Sequence, residues 1–157
     1  MRLLGNILWF LLGGWLLFLL YALSAIIFFP MFLPLWRLAL YSAWPFGRAV
    51  ISQKKLTKYR EQSGKEVEIS STTTLLRNVS GVFNVIWLLT FGWILALTHL
   101  FASIANLMLF FFIVTIPNIA GHWKLISVAF MPFNKVVLPS ELVNEINQTL
   151  TKNKHNL

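Results

Sequence analysis

From Leu3 to Trp36 the chain carries no Lys, Arg, Asp or Glu, and from Asn78 to Trp123 it carries none again. Uncharged apolar runs of more than ~18 residues read as membrane spans. A soluble helical protein could bury such runs only if enough chain remained to cover them, and here about half remains. The chain is 57% hydrophobic and 11% charged, against roughly 25% charged in an ordinary soluble domain. These stretches define an integral membrane protein.

The two stretches are copies of one unit. "NILWFLLGGW" (Asn6 to Trp15) returns as "NVIWLLTFGW" (Asn84 to Trp93). "FFPMFLPLWRLALYSAWPFGR" (Phe28 to Arg48) aligns without gaps on "TIPNIAGHWKLISVAFMPFNK" (Thr115 to Lys135). Pro30 meets Pro117, Trp36 meets Trp123, Arg37 meets Lys124, and Arg48 meets Lys135. The opening phrases are offset by 78 residues and the closing ones by 87, so the second unit is longer by nine. Arg2, the apolar run and the small residues Ala22 to Ala25 imitate a secretory signal peptide. The recurrence of the phrase deep in the chain leads us to expect an uncleaved segment.

The pattern resembles the YccF family of bacterial inner-membrane proteins, small proteins built from two such units. The residues that carry the resemblance are the N-x-x-W…G-W opening in both halves, "LTHL" around His99, Ile116-Pro117, Lys124, and W-P-F-G-R from Trp44 to Arg48. It covers nearly all of residues 1–138. Two motifs depart: the family's Ile-Gly-Ile-Pro-x-Gly reads "VTIPNI", and its Pro-x-Gly-Arg reads "PFNK". The resemblance implies membrane location and a repeat architecture, not a reaction.

The expected architecture is an all-α membrane protein of two tandem repeats, each a broken transmembrane helix followed by an interfacial amphipathic helix. The first repeat spans residues 1–51, a basic linker 52–78, the second repeat 79–138, and an amphipathic C-terminal helix and tail 139–157. Breaks are expected at Pro30, Pro34 and Pro117, because proline lacks an amide donor and disfavours helix before it. Leu3 to Phe29 fits either one tilted helix or a re-entrant pair broken at Gly13-Gly14. Val82 to Ile119 is too long for one span, and a turn near His99 to Ser103 would give two short helices. Arg37, Tyr41, Trp44 and Arg48 recur at helical spacing, so Trp36, Arg37, Trp44 and Arg48, with Trp123, Lys124 and Lys135, read as interfacial anchors. In the linker, "TKYREQ", Ser63-Gly64 and "KEVEIS" suggest a small polar β-hairpin. Positive-inside counting places linker and tail in the cytoplasm.

Few residues could carry chemistry. Cysteine and aspartate are absent, and all five glutamates lie outside the apolar stretches. No nucleophile or carboxylate pair supports an enzyme, no cofactor motif is present, and three scattered histidines make no metal site. His99 falls inside an apolar stretch, with Ser103 and Asn106 at i+4 and i+7. That stripe reads either as interhelical hydrogen bonding or as a pore-lining, proton-sensitive site. Asn6 and Asn84 read as helix caps or cross-links, and His122, beside Lys124, as solvated. The net charge of +8 suits anionic lipid headgroups. No nucleic-acid module accompanies it. The favoured function is a homo-oligomeric channel- or transporter-like assembly, since repeats with broken helices recur in transporters. The absence of a buried acid weighs against cation coupling. A scaffold or accessory protein binding anionic lipid or a cytoplasmic partner is the alternative.

Overall fold

The computed structural model describes residues 2–64, 71–109, 111–112 and 115–155. The first half opens with α1 (Arg2–Trp9), a π-helical turn (Phe10–Gly14) and α2 (Trp15–Ile27), which form a helical limb of 26 residues kinked at Gly13, whose φ is 145°. A 3-10 turn at Phe29–Met31 reverses the chain, and α3 (Phe32–Ala43) returns against α2. Strand β1 (Arg48–Ser52) and helix α4 (Gln53–Gln62) follow, with the Ser52 hydroxyl accepting from the Lys55 amide at the N-cap. The second half repeats the plan. Helix α5 (Ser71–Trp87), a π-helical turn (Leu88–Gly92) and α6 (Trp93–Met108) form its long limb. Helix α7 (Thr115–Phe130) returns, and β2 (Lys135–Pro139) and α8 (Ser140–His155) close the chain.

Arg2–Ile27 and Val79–Met108 are long and apolar enough to cross a membrane. At 1.5 Å per residue, 26 residues reach about 39 Å, more than a hydrocarbon core of about 30 Å. Their outward faces are apolar: Leu11, Leu19, Ile26, Leu89, Phe101 and Met108 are all exposed. Facing water they would form a large unsatisfied patch, whereas facing acyl chains they cost nothing.

The repeated phrase is a joint. The Asn6 amide donates to the Phe46 carbonyl (3.0 Å) and its oxygen accepts from the Phe46 amide (2.9 Å). Asn84 does the same to Phe133, at 3.4 and 3.1 Å. Each asparagine thus satisfies a backbone corner that proline leaves without a ladder. The Trp9 indole donates to the Ser42 carbonyl and the Trp87 indole to the Ala129 carbonyl, both at 2.7 Å, closing the end of each return helix. The glycine follows from the ring. A Cβ on Gly14 would come within 2.5 Å of the Trp9 indole, and one on Gly92 within 2.8 Å of Trp87. Asn-x-x-Trp, a widened π-turn and glycine are therefore one device, used twice.

Strands β1 and β2 pair antiparallel in a two-stranded sheet, with Val50 opposite Val137. These two valines occupy equivalent places in the repeats, so a pseudo-two-fold axis passes between them. Tyr21 and His99, also equivalent, meet in the membrane-spanning layer at 3.3 Å. The axis therefore runs from the sheet into the spanning layer, and both hairpins leave the sheet in the same direction. Helices α4 and α8 cover the sheet around Ile51, Leu56, Val143 and Ile146. Tyr59 donates to Glu145 at 2.9 Å, and Arg2 pairs with Glu141. N-terminus, linker start and tail thus share one end of the molecule.

Several sequence expectations change. The chain does not turn at His99 to Ser103. No glycine or proline interrupts α6 there, and the reversal falls between Met108 and Thr115. Gly13-Gly14 kinks the long limb, with Gly13 at a non-helical φ of 145°, but the chain does not reverse there; the reversal comes at Phe28 to Met31. Pro34 and Pro117 do not break helices either. Each is the third residue of its helix, where a missing amide costs little; Pro30 alone sits in a reversal. Helix α3 ends at Ala43, before Pro45, so Arg37, Tyr41, Trp44 and Arg48 do not share a helical face. Tyr41 is buried and Arg48 belongs to β1. "TKYREQ" lies within α4, so it is no hairpin strand, and the sheet joins the two repeats. "KEVEIS" lies outside the described residues.

Candidate functional site

Six polar residues of the second hairpin lie on one seam, between α6 and α7. On α6 they are His99, Ser103 and Asn106, at i, i+4 and i+7. On the antiparallel α7 they are Thr115, Asn118 and His122, at i, i+3 and i+7. The same spacing on two antiparallel helices lets the stripes face each other along their length. His99, Ser103, Thr115, Asn118 and His122 are all buried. Asn106 donates to the Ala102 carbonyl at 2.8 Å and accepts from the Asn118 amide at 3.4 Å. The Thr115 hydroxyl contacts the Leu109 and Phe112 carbonyls, at 3.0 and 2.8 Å, and so closes the reversal. The Asn118 side-chain oxygen Oδ1 is buried without a partner among the described residues.

At the head of the seam, His99 Nδ1 lies 3.1 Å from His122 Nδ1, and His99 Nε2 lies 3.3 Å from the Tyr21 hydroxyl. His99 is 0% and His122 8% exposed. The Trp9 ring covers His122 at 4.7 Å between centroids. Gly121 makes room for that ring, since a Cβ there would come within 2.5 Å of it. Trp9 and Tyr21 come from the first repeat and the histidines from the second, so the cluster ties the halves together. His122 was expected to be solvated. It is buried instead because α7 returns against α6 and brings it onto His99.

A neutral imidazole holds one donor and one acceptor. The Nδ1–Nδ1 contact therefore needs the two rings in complementary tautomers, and the third member follows. Either Tyr21 donates to His99 and His99 to His122, or His122 donates to His99 and His99 to Tyr21. The two polarities interconvert only when a proton enters at one end and another leaves at the other, because shifting the two bridging protons alone would leave a tyrosinate at Tyr21 and an imidazolium at His122.

The other singled-out residues lie elsewhere. Asn6 and Asn84 sit at the corners, not in the seam. Trp36 stacks on Phe32 and meets Phe18 edge-on, while Trp123 is 60% exposed. Arg37, Arg48 and Lys124 are exposed, and Trp44 and Lys135 half-buried. Lys135 donates to the Ser127 carbonyl at 2.8 Å, and burial draws its pKa below the usual lysine value. No group of three or more metal-ligating side chains occurs among the described residues. Sequence reasoning missed Tyr21 and His122. The offset of 78 residues places Tyr21 opposite His99, and the mirrored spacing of Thr115, Asn118 and His122 was there to be read.

The departures from the family pattern have local explanations. Gly47 takes a φ of 86° and its counterpart Asn134 a φ of 64°. Asparagine is the side chain that best tolerates this left-handed region, so the corner survives the replacement. Thr115 stands at a family glycine, where its hydroxyl closes the reversal.

Comparison with known proteins agrees with this architecture. The family model YccF, "Inner membrane component domain", matches residues 4–48 and 82–135, one segment in each repeat. "Inner membrane protein YccF" of Escherichia coli (strain K12) is 31% identical over 147 residues, covering 90% of each chain, and the protein of that name from Shigella flexneri matches equally. No solved structure matches the chain. The two matched segments coincide with the two hairpins and the corners their asparagines hold, and the chain belongs to the YccF family of inner-membrane proteins.

Proposed function

We propose that this inner-membrane protein is a channel- or transporter-like unit whose working element is the polar seam of the second repeat, headed by Tyr21, His99 and His122. One observation carries the reading: the same hairpin is built twice, and only one copy has a polar seam. At the equivalent positions the first repeat has Tyr21 and Ala25 on the long limb, Phe28 and Met31 in the reversal and Leu35 on the return. Packing a hairpin of this shape therefore does not require histidine or asparagine. Buried polar residues in a spanning layer are costly and mark pathways or relays more often than lipid-facing surfaces. A reversible hydrogen-bond chain supports proton movement without a buried acid. The seam is closed within one protomer, and we place the open pathway in a homo-oligomer.

The test is proton flux, followed by an entrapped pH-sensitive dye, in liposomes holding the purified full chain. Flux is expected with the natural sequence. It should fall at least tenfold in His99→Leu/His122→Leu, with helix content unchanged. Particle mass in nanodiscs should exceed one 18.1 kDa chain. Flux from a clean monomer would remove the assembly; absence of flux in every preparation would remove the conduction reading.

A second reading is favoured by the cap. Lys54, Lys55, Lys58 and Arg60 are exposed on α4, a basic surface suited to a scaffold that docks a cytoplasmic partner or the anionic leaflet. It predicts no flux, and loss of cap binding when those four charges are replaced.

A further inference from the structure

The two repeats treat their paired cations differently. In the second repeat Lys124 donates to the Arg48 carbonyl at 3.5 Å and Lys135 to the Ser127 carbonyl at 2.8 Å. Their counterparts, Arg37 and Arg48, make no side-chain hydrogen bond or ion pair to any described residue. Both are exposed, and both line a cleft of about 480 Å³ between α3, the Gly47 corner and β2. Leu40, Val137 and Pro139 line the same cleft. The neighbouring positive charge, Arg2, is already taken by Glu141. Among the described residues no acid lines the cleft.

We infer that Arg37 and Arg48 form a binding site for the phosphodiester of an anionic membrane lipid, with an acyl chain running down α3. Two guanidiniums offer planar donor pairs that match phosphate oxygens, and charge-assisted bonds of this kind are the strong ones. The lipid, and not a free anion, is indicated by what continues from the cleft. Leu33, Arg37 and Leu40 fall at i, i+4 and i+7 on one face of α3, and both leucines are exposed, at 65% and 45%. An apolar stripe thus flanks Arg37, with Leu40 in the cleft and Leu33 one turn further along a helix packed on the spanning helix α2. A headgroup alone would leave that stripe uncovered, and an acyl chain covers it. The site is separate from the conduction reading: it involves α3 and β2, and its test reads bound lipid, not flux.

The experiment is native mass spectrometry of the full chain released from detergent with phosphatidylglycerol or phosphatidylcholine of matched chains. The natural sequence should retain phosphatidylglycerol preferentially. Arg37→Gln/Arg48→Gln should weaken that retention by roughly tenfold or more, the size expected for lost charge-assisted bonds. Arg37→Lys/Arg48→Lys should keep part of it. The matched control is Lys135→Gln/Lys152→Gln, which removes the same formal charge at residues that touch neither arginine and should leave retention unchanged. Equal retention by the Arg37→Gln/Arg48→Gln variant, or equal loss in the lysine control, would overturn the site. Displacement of the lipid by millimolar inorganic phosphate would assign it to free anions instead and overturn the lipid.

Discussion

The first hairpin closes its seam with Tyr21, Ala25, Met31 and Leu35; the second closes the equivalent seam with His99, Ser103, Asn118 and His122. Around these seams the two copies share one joint, although only the first limb is kinked, at Gly13. Each has an asparagine holding a Pro-Phe corner, an indole on a carbonyl at 2.7 Å, a π-turn, and a glycine under the ring. The comparison separates residues that build the hairpin from residues that the hairpin carries. The joint is duplicated because both copies need it. The polar seam is not duplicated, so the fold does not need it.

The largest effect would come from breaking the shared orientation of the halves. If both hairpins leave the sheet in one direction, Ser63 and Asn153 lie on one side of the membrane; the Asn153 amide already reaches Gln62, at 3.1 Å. Ser63→Cys and Asn153→Cys should both resist an impermeant thiol reagent in intact cells and both react after lysis. One labelled and one protected would end the parallel arrangement. Next come the indoles. Trp9→Ala and Trp87→Ala should each destabilise the protein by roughly 3–5 kcal/mol, as large buried aromatics do, read by denaturant titration in detergent. A large loss at one and none at the other would show that the copies do not share the joint.

Smaller effects test the corners and then the seam. Asn6→Ala and Asn84→Ala each strand a backbone amide and carbonyl, a loss of about 1–3 kcal/mol. Asn6 should be the costlier, because its bonds are the shorter. Within the seam, His99→Leu alone leaves both Tyr21 and His122 without that partner and should cost about 1 kcal/mol. Replacing His99 and His122 together by leucine makes the second seam resemble the first, and should cost less than the two single changes added. Additive losses in that cycle would mean that the histidines act separately and the hydrogen-bond chain has no standing.

Much of this was written in the sequence, and what was not has a physical cause. The spans follow from uncharged length and the duplication from Asn, Trp and Gly at fixed spacing. The reversal was misplaced because polar His99 and Ser103 looked like a turn, yet side-chain polarity does not break a helix whose backbone bonds are intact. The strands were sought in the linker, where "KEVEIS" alternates. They form instead at the two ends Arg48–Ser52 and Lys135–Pro139, because the sheet depends on two segments far apart in sequence meeting at the axis. His122 was misjudged for the same reason: its neighbour in sequence is Lys124, and its neighbour in space is His99.

The smallest effect lies where the two halves are tied at the cap. Glu141 stands in the first turn of α8 and pairs with Arg2, the first charge of the opposite repeat. Its own backbone amide and then Arg2 hold its carboxyl below the usual value of 4.5. A carboxyl depressed in the folded state contributes stability above its unfolded pKa and loses it as pH falls through the folded one. The tie should therefore be intact at neutral pH and weaken only in acid, below about 4.5. Both groups are largely exposed, so the contribution is small and screened by salt. Glu141→Gln should lower the neutral plateau of a melting-temperature profile slightly at low ionic strength and so flatten its acid limb, the two proteins converging in acid. The natural protein in high salt should behave like the variant. A variant whose acid limb stays as steep as the natural one would remove the ion pair from that limb, and the cap would then join the repeats through its sheet and apolar core without it.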